Sequence, residues 1–259
     1  VIDVHHHILP GFGKGATSME EAVLMAQLAE QEGITTIIAT PIRDMTKTSL
    51  KEAIIDKARQ LNERLTSEGV AVTVIPAQHV PLYSELLDDQ EKGHLLSVND
   101  TNDYLFLDFP QQQVPLYAEH FIYELQQRHM TPIIVHPECN PAFLDHPERL
   151  YDLVRQGLLV QLSSQSILGQ HGKKVKQFAN KLIEANQAHF IGSNAARPDR
   201  KGIGLKAAYY DVRKVFGKST TDMFHENAVA LTQGASIYLL EPTRVKLKGS
   251  SFKSFLKFR

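Results

Sequence analysis

Val1-Ile2-Asp3-Val4-His5-His6-His7-Ile8-Leu9-Pro10-Gly11 opens the chain. Val1, Ile2 and Val4 favour an extended strand, and Pro10-Gly11 ends it in a turn. Along a strand successive side chains alternate faces, so His5 and His7 share one side. Two imidazoles on one face at a strand end make a seat for a divalent metal, and the strand ends of α/β barrels are where such enzymes carry their chemistry. The apolar flank and the turn set the run apart from a purification tag. The plain alternative is polar residues that merely finish a strand.

Outward from this stretch, short apolar runs alternate with helical ones. Strands are expected at 1–5, 35–40, 72–76, 104–109, 132–136, 158–162 and 189–192, and helices near 18–32, 48–68, 115–129, 147–156, 173–187, 203–216 and 219–233. That alternation is the pattern of β/α units around a parallel sheet. Ser18 followed by Glu21 has capping-box spacing, and Gly33 closes the first helix. At or just past the strand ends stand His5 and His7, Thr40-Pro41, Gln78-His79, Asp108, His136-Pro137-Glu138, Ser163-Ser164 and Ser193-Asn194. In a barrel those ends converge on one rim, so residues distant in sequence would line one pocket.

The chain has 259 residues, a length that suits one large domain, and a formal net charge of -1 argues against a protein built around nucleic acid. Its single cysteine, Cys139, excludes an internal disulfide framework and fits a reducing cytoplasm. No apolar run approaches the roughly 20 residues of a membrane span, and the opening residues lack signal-peptide character. Residues 1–240 are expected to form the barrel and 241–259 a tail. From Thr243 onward the tail carries Arg244, Lys246, Lys248, Lys253, Lys257 and Arg259, with Phe252, Phe255, Leu256 and Phe258, and no acid. Such a segment suits peripheral contact with anionic lipid at the inner face of the plasma membrane; a tail solvated or packed on its own body is the alternative.

Gly13-Lys14-Gly15 lacks the glycine and hydroxyl spacing of a phosphate loop, and no nucleophile elbow, paired-cysteine zinc motif, dinucleotide fingerprint or internal repeat is present.

The order His5-x-His7, Ile-Leu-Pro-Gly, Thr40-Pro41, Asp108-Phe109-Pro110, His136-Pro137-Glu138 and Ser193-Asn194-Ala195 resembles the polymerase and histidinol phosphatase superfamily. More closely it is similar to the bacterial manganese-dependent tyrosine-protein phosphatases encoded with capsule and exopolysaccharide genes. The resemblance spans essentially the whole chain and implies a distorted (β/α)7 barrel. It also implies a metal cluster of three ions, a phosphotyrosine protein such as a bacterial tyrosine autokinase as partner, and a role in regulating exopolysaccharide synthesis.

Residue by residue, the match is uneven. His5, His7, Asp108 and His136 stand where the resemblance implies metal ligands, and His79 occupies the place of a bridging glutamate. Lys14 replaces a carboxylate, Ile42 an imidazole, Cys139 an arginine that binds phosphate, Asn194 a carboxylate and Ala196 an imidazole. Arg197 or Arg200 could serve the downstream phosphate-binding role. A histidine binds one metal but cannot bridge two as a carboxylate does. His5, His7, His79, Asp108 and His136 therefore suit one or two ions or none rather than three, with manganese implied by family and zinc or iron alternatives. The expectation is weak or lost phosphatase activity. A non-catalytic module that holds a phosphoprotein through Lys14, Arg197 and Arg200 is the second reading, and an amidohydrolase-like metal hydrolase the third.

Overall fold

The computed structural model describes residues 1–199 and 203–246. Its parallel strands are β1 Ile2–His6, β2 Thr36–Ala39, β3 Thr73–Pro76, β4 His79–Pro81, β5 Tyr104–Asp108, β6 Thr131–Val135, β7 Leu159–Ser163 and β8 Phe190–Gly192. They form a three-stranded sheet in the order β1-β2-β3 and a five-stranded sheet in the order β4-β5-β6-β7-β8. Each sequence-based strand is present, with one change of course. The third is cut after Pro76, and β4 resumes beside β5 in place of β2.

Both seams between the sheets are spanned by isolated parallel bridges. Ile42 pairs with His79, and His6 pairs with Ala195. The His79 amide donates to the Pro41 carbonyl at 3.0 Å and the Arg43 amide to the His79 carbonyl at 2.8 Å. At the other seam the His7 amide reaches the Ala195 carbonyl at 2.9 Å and the Asn194 amide the His5 carbonyl at 2.8 Å. β8 has only three residues, so its continuation supplies these bonds in irregular form.

The principal helices are α1 Met19–Gln31, α2 Lys51–Ser67, α3 Leu86–Glu91, α4 Ala118–Gln127, α5 Pro141–Asp145, α6 Pro147–Arg155, α7 Ser164–Ile167, α8 Lys173–Glu184, α9 Leu205–Phe216 and α10 Lys218–Thr232. The seven helices expected from periodicity are all here; α3, α5 and α7 are too short to carry a periodic signal. At the start of α1, the Ser18 hydroxyl accepts the Glu21 amide at 3.2 Å. The Glu21 carboxylate takes the Thr17 amide at 2.6 Å, one residue earlier than a capping box would place it.

Strand alternation sorts the core into two layers. Leu105, Leu107, Ile134, Val160, Leu162 and Ile191 pack under the helices. Tyr104, Phe106, Ile133, Val135, Leu159 and Phe190 form a second cluster on the opposite face, with Val4, Ile38 and Leu231. Strands buried on both faces read as continuous apolar runs, which is why they were legible. The second face turns polar toward the strands' C-terminal ends, where Asp108 follows Phe106 and Gln161 and Ser163 follow Leu159.

Of the 241–259 tail, the first residues lie against the body. The Thr243 amide donates to the Ala185 carbonyl at 2.9 Å and Gln187 Nε2 to the Thr243 carbonyl at 2.6 Å. Arg244 stacks 4.6 Å over the Tyr151 ring and lies 3.6 Å from Asp152. Lys248, Phe252, Lys253, Phe255, Lys257 and Arg259 lie outside the described residues. No helix among the described residues is long and apolar enough to cross a membrane.

Candidate functional site

A bulge in β1 aims the opening histidines. Asp3 pairs with Ile37 and His6 with Ala39, so three steps on β1 match two on β2. The extra residue lets Val4 join the second core cluster and still brings His5 to that side, beside Phe106 at 5.9 Å between ring centroids. The buried Asp3 carboxylate holds the bulge by accepting the Ser193 amide at 2.9 Å and the His5 amide at 3.3 Å. Burial raises its pKa to about 6.

His5 meets His7 and His79 at 5.1 Å each between centroids, and His136 at 6.0 Å. His79 lies 5.9 Å from His136. His136 has left-handed backbone angles, φ 36° and ψ 48°, uncommon for a side chain of its size. Asp108 closes the group, its Oδ2 3.4 Å from His79 Nε2. All five residues expected as ligands therefore gather at one place. His5, His7 and His79 each offer a ring nitrogen within 4.8 Å of the others, which forms the one such group among the described residues.

Burial, and then the neighbouring imidazoles, hold the His5 pKa well below its ordinary value and bring His7 and His136 each to about 4. These rings are neutral near pH 7, the form that ligates. Burial works against ionisation of Asp108, but the His79 and His136 rings keep its pKa below the usual carboxylate value.

His5 Nε2 and His79 Nδ1 are buried without a hydrogen-bond partner, while His79 Nε2 faces the Asp108 carboxylate at 3.4 Å. Such groups cost about 1–3 kcal/mol apiece when left unsatisfied. Clustered imidazole lone pairs beside a carboxylate are what a transition-metal ion requires, so the residues present fit one. His6 is also unpartnered on both nitrogens, but stands outside the triad.

Next to Asp108 and His136 lies a cavity of about 250 Å³ lined also by Phe109, Gln111, Gln112, Pro137 and Cys139. Among the described residues neither arginine nor lysine lines it. Lys14 is exposed on the turn after β1, near enough to His7 to add to the lowering of its pKa. Arg197 is exposed and lies 3.8 Å from Glu21. Arg200 lies outside the described residues.

Sequence reasoning missed Gln161. Fully buried on β7, its Oε1 sits 3.0 Å from His5 Nδ1, while its Nε2 donates to the Leu162 carbonyl at 2.7 Å and to Asn194 Oδ1 at 3.2 Å. A single amide inside the apolar run Leu159-Val160-Gln161-Leu162 was the available signal.

The family model for capsular polysaccharide synthesis proteins, CpsB/CapC, matches residues 1–233. The tyrosine-protein phosphatase YwqE of Bacillus subtilis is 38% identical over 247 residues, which cover 95% of this chain and 97% of that protein. The tyrosine-protein phosphatase CpsB of Streptococcus pneumoniae is 24% identical over 237 residues, 88% of this chain and 96% of that protein. Among solved structures, a chain from those of YwqE and CpsB, described as unique metal-dependent tyrosine phosphatases, superposes with a TM-score of 0.91 at 38% identity. The match covers 95% of this chain and 100% of that one. An organophosphorus hydrolase variant, 12% identical with a TM-score of 0.53 over 89% of this chain and 92% of its own, shares the fold alone.

Proposed function

The chain belongs to the CpsB/CapC family of capsular polysaccharide synthesis, and from that premise we propose that it engages phosphotyrosine proteins, such as a bacterial tyrosine autokinase, through a reduced metal centre that hydrolyses them weakly or not at all. The observation that carries this reading is the donor set. Three imidazoles face one another with Asp108 at their edge, and no second carboxylate joins the group among the described residues.

His5, His7 and His79 would hold the ion, with Asp108 and His136 flanking it. A divalent ion bound there supplies Lewis acidity and a water of lowered pKa. Phe109 and Pro137 offer apolar walls to an aryl ring in the adjoining cavity, and the Gln111 and Gln112 amides offer hydrogen bonds. Among the described residues no guanidinium lines the cavity to draw in the phosphate, and Cys139 stands in its wall. Manganese-dependent turnover of a phosphotyrosine peptide, measured beside YwqE, tests the reading. A rate well below that relative is expected; a comparable rate overturns it.

One observation favours a non-catalytic binder as the second reading. Lys14 places a cation beside His7, which attracts a phosphate but cannot activate water as a metal does. Retention of an intact phosphopeptide in the presence of manganese would separate binder from enzyme.

A further inference from the structure

Which ion the seat selects is written in its donor atoms. The three ligand atoms that face each other, one from each of His5, His7 and His79, are all nitrogens. The nearest carboxylate, Asp108, is 39% exposed and is engaged at 3.4 Å with His79. Imidazole suits zinc, iron and copper, whereas manganese and magnesium favour carboxylate, carbonyl and water oxygen.

The second shell points the same way. Gln161 Nε2 faces two acceptors, the Leu162 carbonyl and Asn194 Oδ1, so its amide can sit only one way round, with Oε1 toward His5. An amide oxygen accepts and never donates; His5 Nδ1 must therefore carry the proton and Nε2 the lone pair. Nε2 is the atom that is buried without a partner. The Asn194 backbone is held in place, its main-chain N–H donating to the His5 carbonyl at 2.8 Å, and the Leu162 carbonyl by itself sets which end of the Gln161 amide is the donor.

We infer that this chain holds a single zinc-class ion on His5, His7 and His79, selects it over manganese, and uses Gln161 as the positioning residue that presents His5 Nε2. The inference rests on the reduced metal centre proposed above, but it concerns the ion and not turnover. Both single-ion binding and the preference for zinc follow from nitrogen donors that no bridging carboxylate joins among the described residues.

The test uses the full chain stripped by chelation and titrated with Zn²⁺, Mn²⁺ and Co²⁺, separately and in competition at equal concentrations, with bound metal measured by elemental analysis. One ion per chain, displacement of Mn²⁺ by Zn²⁺, and the strong visible absorption of low-coordinate Co²⁺ are expected. Gln161→Leu should weaken Zn²⁺ binding by about 10–100-fold and alter the Co²⁺ spectrum while leaving the far-ultraviolet circular dichroism unchanged. Two or more ions per chain, or Mn²⁺ retained against equal Zn²⁺, would overturn the inference; an unchanged Q161L affinity would remove Gln161 from it. If Q161L does not fold, the competition and spectrum of the unaltered chain still decide. Phosphopeptide turnover is assayed separately, so failure of the phosphatase reading is distinguishable from failure of zinc selection.

Discussion

Gly192 lies against His5: a methyl group built on its backbone would stand 2.7 Å from the His5 Cβ and 2.9 Å from Gln161 Nε2. The contact, not the backbone angle, requires glycine here. Gly192→Ala must push aside the ligand and the amide that orients it. We predict a stability loss of about 1–3 kcal/mol, as for other overpacked sites, together with weaker metal binding. Urea denaturation and a metal titration on the same preparation check it; unchanged affinity would show that His5 tolerates the displacement.

His79 is 2% exposed; its Nδ1 lacks a hydrogen-bond partner and its Nε2 faces Asp108 at 3.4 Å. Replacing it with glutamate substitutes an oxygen donor able to bridge two ions for a nitrogen donor that cannot. His79→Glu should therefore raise Mn²⁺ occupancy relative to Zn²⁺. Elemental analysis after dialysis against both ions measures the ratio, and a ratio that does not move would place His79 outside the ligand set.

How far the sequence was legible follows from what each signal depends on. The His5-x-His7 pair declared itself because alternation is local, and the buried strands because apolar runs are local too. The bulge between Asp3 and His6 left no mark, since it depends on the register with β2. The break after Pro76 is hidden for the same reason: His79 keeps a bridge to Ile42, just past β2, and adds Phe106 on β5, a pairing made by a strand far along the chain. The motif places His136 in the site but carries no sign of its left-handed backbone. Gln161 is not legible from sequence because its importance lies in what it meets, His5 and Asn194, at separations of 156 and 33 positions.

Lys14 is exposed, so its replacement should leave the fold intact. Its charge contributes to lowering the pKa of His7, after burial and the charges of His79 and His136. Lys14→Asp reverses that contribution and supplies an oxygen donor near the triad. Binding of divalent ions should tighten several-fold, and an inorganic phosphate or vanadate probe should bind more weakly to the metal-free chain. Isothermal titration of both ligands measures this, and a change in neither would show that Lys14 does not act on the site.

His189, at the far end of β8 from the triad, offers a test in acid. It is buried, its Nδ1 accepts the Val160 amide at 2.9 Å, and burial lowers its pKa from 6.5 to about 4. Between those values the unfolded chain binds a proton that the folded chain does not, so stability falls as pH drops from 6.5 to about 4. The loss attributable to this one group is on the order of 3 kcal/mol. His189→Asn keeps an acceptor for the Val160 amide but cannot titrate. Urea unfolding at pH 7 and pH 4.5 should give a smaller drop for the variant, and an equal drop would mean that other buried histidines account for the acid sensitivity.

The tail poses a choice between self-contact and lipid contact, and the strap formed by its first residues allows both. Of the six cations from residue 243 onward, Arg244 is engaged by Tyr151 and Asp152. Lys246, Lys248, Lys253, Lys257 and Arg259 each carry a charge capable of about 1 kcal/mol of attraction at an anionic surface. Removing residues 243–259 also takes the Thr243 carbonyl from the buried Gln187 amide, at a cost of about 1–3 kcal/mol. The truncated chain should therefore melt earlier while keeping the metal seat. Vesicles containing phosphatidylserine should sediment the full chain, less so as salt rises, and leave the truncated one in solution. Equal sedimentation of the two would sink the lipid contact and leave the self-contact at Thr243 and Arg244 as the tail's measurable role.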